Sequence, residues 1–310
     1  LMGALAGHLS RRFKPWLLGM SVVVVVLTAC IGLNRINDVF NEYFDETFEV
    51  RRVNDFAMNN LTGMHRIDYA VHSGESGGAM EPAYLQHIDD LTVWLEQQDE
   101  VVYATAYTDV IKRLNRDMHG GDPAWYRIPE SRELISQYTL LYELSLPQGL
   151  GLEDQLDIDK EQARVIVMLE NIGSRPVLEF NDRVEAWMQD NWPQTMQTKG
   201  TGMDILFGRV TMRNIQSMLS GALIALISVS VLLVIALRSV RYGILSLLPN
   251  LLPAAMAFGL WGLVNGEIGL AVSVVACMTL GIVVDDTVHF LSKYVRAKRE
   301  LGLKTEQAVE

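Results

Sequence analysis

Gly281-Ile282-Val283-Val284-Asp285-Asp286-Thr287-Val288-His289-Phe290 sets two adjacent carboxylates inside an otherwise apolar run. On insertion scales an Asp at the centre of a membrane helix costs about 2.5–3.5 kcal/mol, and less near an end. A pair of them persists only where it faces protein or water. Helical spacing stacks Thr279, Ile282, Asp286 and His289 along one face, with Asp285 beside it. Two close carboxylates cannot both ionise easily, so the pair reads as a proton-binding site that senses the membrane potential. The relay candidates are therefore Asp285, Asp286, His289 and Thr279. His289, near Lys293 where the polar surface begins, reads equally as an interfacial residue.

Working outward, this stretch closes the last of four nearly uncharged blocks, at residues 16–33, 218–237, 242–264 and 268–284. Each comes close to the ~17–25 residues that a helix needs to cross a bilayer core. No small-residue cleavage site follows the first block, which reads as a retained helix. The third block holds Pro249-Asn250-Leu251-Leu252-Pro253. Two prolines remove two backbone donors, so this span is expected to bend or open there. Pro249, Asn250 and Pro253 are the hinge candidates, with Asn250 bonding freed carbonyls or a neighbouring helix.

Basic residues set the orientation. Arg11, Arg12 and Lys14 precede the first block, and Arg238 and Arg241 separate the second and third. Lys293, Arg296, Lys298, Arg299 and Lys304 follow the fourth, whereas the turn Asn265-Gly266-Glu267 has no basic residue. All ten lie on one side of an alternating path, which makes that side cytoplasmic. The division is then 1–33, a cytoplasmic leader and first transmembrane helix; 34–217, an extracytoplasmic domain; and 218–310, three transmembrane helices and a cytoplasmic tail. Residues 34–217 carry 16 basic and 31 acidic residues, a net charge of −15. That surface repels nucleic acid. Cys30 and Cys277, the only cysteines, fall in apolar blocks, so no disulfide supports the outer domain.

Within the outer domain, strand patterns at Ile67–Val71 and Val101–Thr105 flank a helix opened by Pro82. Thr108 is a candidate cap for the next helix, and another is expected from Glu130 to Leu144. Strand–helix–strand recurs at 164–200: Arg164–Leu169, a helix opened by Pro176, and a short strand at Gln197–Gly200. Residues 145–160, rich in Pro, Gly and acids, read as a linker. The expected fold class is an α-helical membrane protein with an α+β extracytoplasmic domain of two strand–helix–strand subdomains. No Ser/His/Asp, Cys/His or metal-spaced cluster appears, and Gly200-Thr201-Gly202 lacks the lysine of a phosphate loop. The reading is not an enzyme, and it implies no cofactor or metal.

The Gly281–Phe290 stretch, the Pro-Asn-Leu-Leu-Pro element and the helix, large loop, helices order resemble the resistance-nodulation-division (RND) superfamily. The nearest branch is the mycobacterial-membrane-protein-large (MMPL) type of exporters. The resemblance implies two similar halves of six helices, each with a porter loop after its first helix. This chain, which starts at Leu1 and stops at Glu310 in a polar helical pattern, matches helix seven, the second porter loop and helices eight to ten. The resemblance implies proton-driven export of a hydrophobic or lipid-like substrate across a bacterial inner membrane, with residues 34–217 periplasmic. Protons and the remaining half of the same transporter are the implied partners, and a homo-oligomer is compatible with it. Many lipid-exporting relatives carry Asp-Tyr where Asp285-Asp286 stands, and multidrug relatives carry the double Asp in the first half. A double Asp in what resembles a second half is therefore a departure that leaves stoichiometry and pathway open. Two rivals share the architecture: a sterol- or lipid-sensing protein of the Patched kind, and an accessory proton-driven secretion factor. The lack of outer cysteines weighs against the first.

Overall fold

A computed structural model describes residues 13–147, 151–300 and 302. Arg11, Arg12 and Lys304 of the charge pattern, and residues 148–150 of the expected linker, lie outside the described residues. Helix α1 (Phe13–Ala29) ends in a 3-10 turn (Cys30–Leu33) and is followed by β1 (Arg35–Ile36). Next come α2 (Glu49–Asn60), β2 (His65–His72), α3 (Pro82–Leu95), β3 (Val101–Ala106) and α4 (Tyr107–Met118). Helix α5 (Arg132–Ser145), β4 (Gln162–Leu169) and α6 (Ser174–Asn191) follow. The order closes with α7 (Met203–Leu237), α8 (Val240–Leu245), α9 (Leu247–Val264), β5 (Glu267–Ile268) and α10 (Leu270–Arg299). Contacts divide the chain into two units, Val39–Val210 and the residues on either side of it.

The unit Val39–Val210 is built on one antiparallel sheet of order β2-β4-β3. Alternation along β4 points Ala163, Val165, Val167 and Leu169 into the core, where Val167 lies between Ile67 and Ala104. Leu85, Ile88, Leu91 and Leu95 of α3 and Phe180, Val184 and Met188 of α6 cover that face. The Tyr84 hydroxyl donates to the Val71 carbonyl (2.7 Å) and accepts from the Ala163 amide (2.9 Å), satisfying the end of the β2–β4 ladder. Burial pushes the Tyr84 phenol above its ordinary value, so it stays protonated. Burial also opposes the charge on Lys112, but the hydrogen bond and charge of Asp89, with Asp109, outweigh it and hold the amine above its ordinary value.

This sheet corrects the expectation of two subdomains. The strand at Arg164–Leu169 does not pair with Gln197–Gly200; it is the central strand between the two strands expected of the other subdomain. Gln197–Gly200 has only polar residues and glycine, with no alternating apolar side to bury, and it forms no strand. A single bridge, Asp68 to Thr201, follows it. Residues 151–160 are not a free linker either, because Leu152 and Leu156 belong to the same core. Thr108 is fully buried in the first turn of α4 rather than capping it. Asp109 instead reaches back to accept from the Ala106 amide (3.1 Å).

Phe13–Leu33, Met203–Leu237, Val240–Val264 and Leu270–Arg299, of which only Met203–Val210 belongs to the sheet-bearing unit, are each long and apolar enough to cross a membrane. Many of their large apolar side chains point outward, as lipid-facing residues do (Leu17 is 67% exposed and Ile282 67%), while Leu233, Leu237, Leu291 and Val295 pack together. Close backbone approach holds α9 to α1. A Cβ at Gly259 would overlap the Leu27 carbonyl, and one at Gly262 would lie 2.7 Å from the Cys30 oxygen. Asn34 adds a bond from its amide to the Phe258 carbonyl (2.8 Å). The strands β1 and β5 pair in parallel, and Asp38 accepts from the Leu270 amide (3.1 Å) at the N-terminus of α10. A carboxylate there offsets unpaired amides and the helix dipole.

Candidate functional site

The site forms where α10 passes α8 and α9. Helix α10 runs without interruption through the double Asp to Arg299. Asp286, which is exposed like Asp285, is among the residues lining a groove of about 530 Å³ whose walls include Leu248, Pro249, Pro253, Val283 and Phe290. One carboxylate in an apolar groove costs little while protonated and draws in water when ionised.

The prolines shape the other wall. Pro249 lacks an N–H for the Leu245 carbonyl and Pro253 lacks one for the Pro249 carbonyl, so two acceptors are freed. The helix is interrupted between α8 and α9 at Ser246, just before Pro249, although Ser246 keeps helical angles (φ −65°, ψ −22°). Helix α9 then continues through Pro253. The expected opening across Pro249–Pro253 is thus a loss of hydrogen bonds in a continuing helix. Leu245 and Pro249, the residues with freed carbonyls, both line the groove that Asp286 faces.

Asn250 is 1% exposed. Its Oδ1 lies 2.6 Å from the Thr287 hydroxyl, which also lies 3.0 Å from the Val283 carbonyl. Its Nδ2 has no hydrogen-bond partner among the described residues. Sequence reasoning missed Thr287, the α10 end of this link. The available signal was a hydroxyl one residue from a carboxylate within an apolar span.

The remaining candidates are not gathered as expected. Adjacent residues project about 100° apart around a helix, so the two carboxylates diverge instead of forming a buried pair. Asp285 is exposed (73% for its side chain), and its Oδ1 lies 3.6 Å from His289 Nε2. His289 thus sits one turn from Asp285, and its Nε2 approaches that carboxylate. The Thr279 hydroxyl bonds the Val275 carbonyl (2.9 Å) in its own helix. Six residues, about 9 Å of helix rise, separate it from Asp285, beyond hydrogen-bond reach.

Compared with known proteins, the sequence matches the model of the MMPL family over residues 70–310. Among solved structures, it resembles the cryo-EM structure of the hedgehog release protein Disp from the water bear Hypsibius dujardini. That likeness covers 95% of this chain, at 13% identity and a TM-score of 0.48. This chain spans 40% of the length of that one. No curated protein sequence matches.

Proposed function

The chain belongs to the MMPL family, and on that premise we propose that it is part of a proton-driven exporter of hydrophobic or amphiphilic molecules in a bacterial inner membrane. Members of that family are transporters, so the chain is assigned transport and not catalysis. One observation carries the reading: exposed Asp286 lines a mostly apolar groove against the proline-containing span. Protonated, Asp286 is compatible with close packing of Phe290 and Leu248 across the groove. Ionised, it favours water there, and the freed Leu245 and Pro249 carbonyls give that water acceptors.

Residues 34–217 lie on the outer side in this scheme, and Arg238–Arg241 with Lys293–Arg299 inside. Opening toward the acidic outer side loads a proton, and opening inward releases it. The interrupted turn at Ser246–Pro253 takes up the movement. Asp285 and His289 form an accessory pair, and Thr279 has no part while its hydroxyl is held by its own helix. The remaining half of the transporter supplies the helices that complete the site. The test uses the full-length protein in liposomes with a fluorescent phospholipid analogue. A proton gradient should accelerate probe movement and a protonophore should remove the effect. Movement at the same rate after the gradient is collapsed would overturn the proposal.

A further inference from the structure

Helix α2 bonds part of its polar set inward and exposes its large apolar residues. Its polar side faces its own neighbours: Asn54 donates to Asn41 Oδ1 (3.0 Å), and Asp55 accepts from Asn41 Nδ2 (3.1 Å). Arg51 bonds Asp55 (2.9 Å) and the Asn41 carbonyl (3.3 Å). The opposite side carries Val50, Val53 and Phe56, with Leu61 just beyond, at 48%, 57%, 62% and 73% exposure. Phe40, Phe44 and Phe48 extend this apolar surface through edge-on ring contacts, with Phe40 66% and Phe48 55% exposed. A helix in water places its apolar stripe inward and its charges outward. This helix uses Arg51, Asn54 and Asp55 internally and leaves Val50, Val53 and Phe56 uncovered, flanked by exposed Glu49, Arg52, Asn59 and Asn60.

Connectivity indicates what covers it. Asp38 is fixed at the start of α10, and β1 pairs with β5 in the turn joining two spans. Phe40 follows two residues later, so chain length keeps it within about 7 Å of that anchor. The aromatic run therefore starts at the end of the spans, at the depth where aromatic belts occur. We propose that Phe40–Leu61 lies in the membrane–water boundary on the side of the Asn265–Gly269 turn. Val50, Val53, Phe56 and Leu61 enter the headgroup–acyl region, and the bonded polar side faces away from lipid. This rests on reading the four apolar helices as spans.

The test places a nitroxide on Phe56→Cys in the full-length protein, with Cys30→Ser and Cys277→Ser, in phosphatidylethanolamine–phosphatidylglycerol vesicles. Val53→Cys serves as a second site. Collision with dissolved oxygen is compared with collision with a water-soluble nickel chelate. Ile158→Cys, at a residue 91% exposed, is the aqueous reference, and Leu223→Cys in α7 is the lipid reference. The expected result is a loss of nickel collisions and retention of oxygen collisions at both test sites, toward the Leu223 values. Nickel collisions at the Ile158 level would overturn the proposal. Loss of both collisions, the mark of a covering protein surface, would also overturn it. If Leu223 itself reads as aqueous, the spans are wrong and this proposal falls with them.

Discussion

Asn250 and Thr287 form an asymmetric pair, and the asymmetry makes their energetics testable. Thr287→Val leaves both ends of the buried Asn250 amide unpaired, at a cost of about 1–3 kcal/mol. Asn250→Leu removes a donor that already lacks a partner, while Thr287 keeps its bond to the Val283 carbonyl. Thermal unfolding in detergent should therefore show a larger drop for Thr287→Val than for Asn250→Leu; the reverse order would refute the pairing. In the unit Val39–Val210, Lys112→Met should remove a stabilising interaction with Asp89 and Asp109. The folded amine titrates above its ordinary value of 10.5, so this contribution is complete below that value. It is lost as pH rises through the raised folded value. The wild-type minus Lys112→Met difference in unfolding temperature should be constant between neutral pH and pH 10.5 and shrink above it. A difference that vanishes in mildly acidic solution would contradict the assignment.

Elements differ in how much of them was legible. The four spans could be read from the chain because excluding charge from a bilayer leaves a one-dimensional trace. The strands at Ile67–Val71, Val101–Thr105 and Arg164–Leu169 were legible from alternation, but their pairing was not. Antiparallel partners about a hundred residues apart leave no local mark, so the central position of β4 emerged only in three dimensions. At the site, Asp286 and the prolines were visible as exceptions to apolar sequence. The divergence of Asp285 follows from helix geometry, and the Thr287–Asn250 bond depends on how two helices pack. Two substitutions test the elements. Pro253→Ala restores a donor for the Pro249 carbonyl and should stabilise α9 by up to ~3 kcal/mol while slowing transport, if the freed turn takes up the movement. Faster transport together with lower stability would contradict that role. Gly259→Leu forces a side chain into the Leu27 carbonyl and should lower the unfolding temperature; an unchanged value would show that α1 and α9 do not meet there.

For the whole molecule, the proposed export requires the carboxylate, the interrupted helix and the unit Val39–Val210 to lie on defined sides of one membrane. Gly120, in an exposed turn of the unit Val39–Val210, reports the topology: under the proposed orientation Gly120→Cys should react with a membrane-impermeant maleimide in intact cells. Reaction only after lysis would reverse the scheme. The central claim is that Asp286, facing the groove, carries the transported proton and that Asp285, paired with His289, supports it. The most direct measurement is gradient-driven transport by the full-length protein carrying Asp286→Asn, Asp285→Asn, both changes, or His289→Ala. Each variant is first verified as inserted and folded. Asp286→Asn and the double variant should abolish gradient-dependent transport, Asp285→Asn should reduce it strongly, and His289→Ala should have the smallest effect. Wild-type transport by the double variant, with the same dependence on the proton gradient, would contradict the claim.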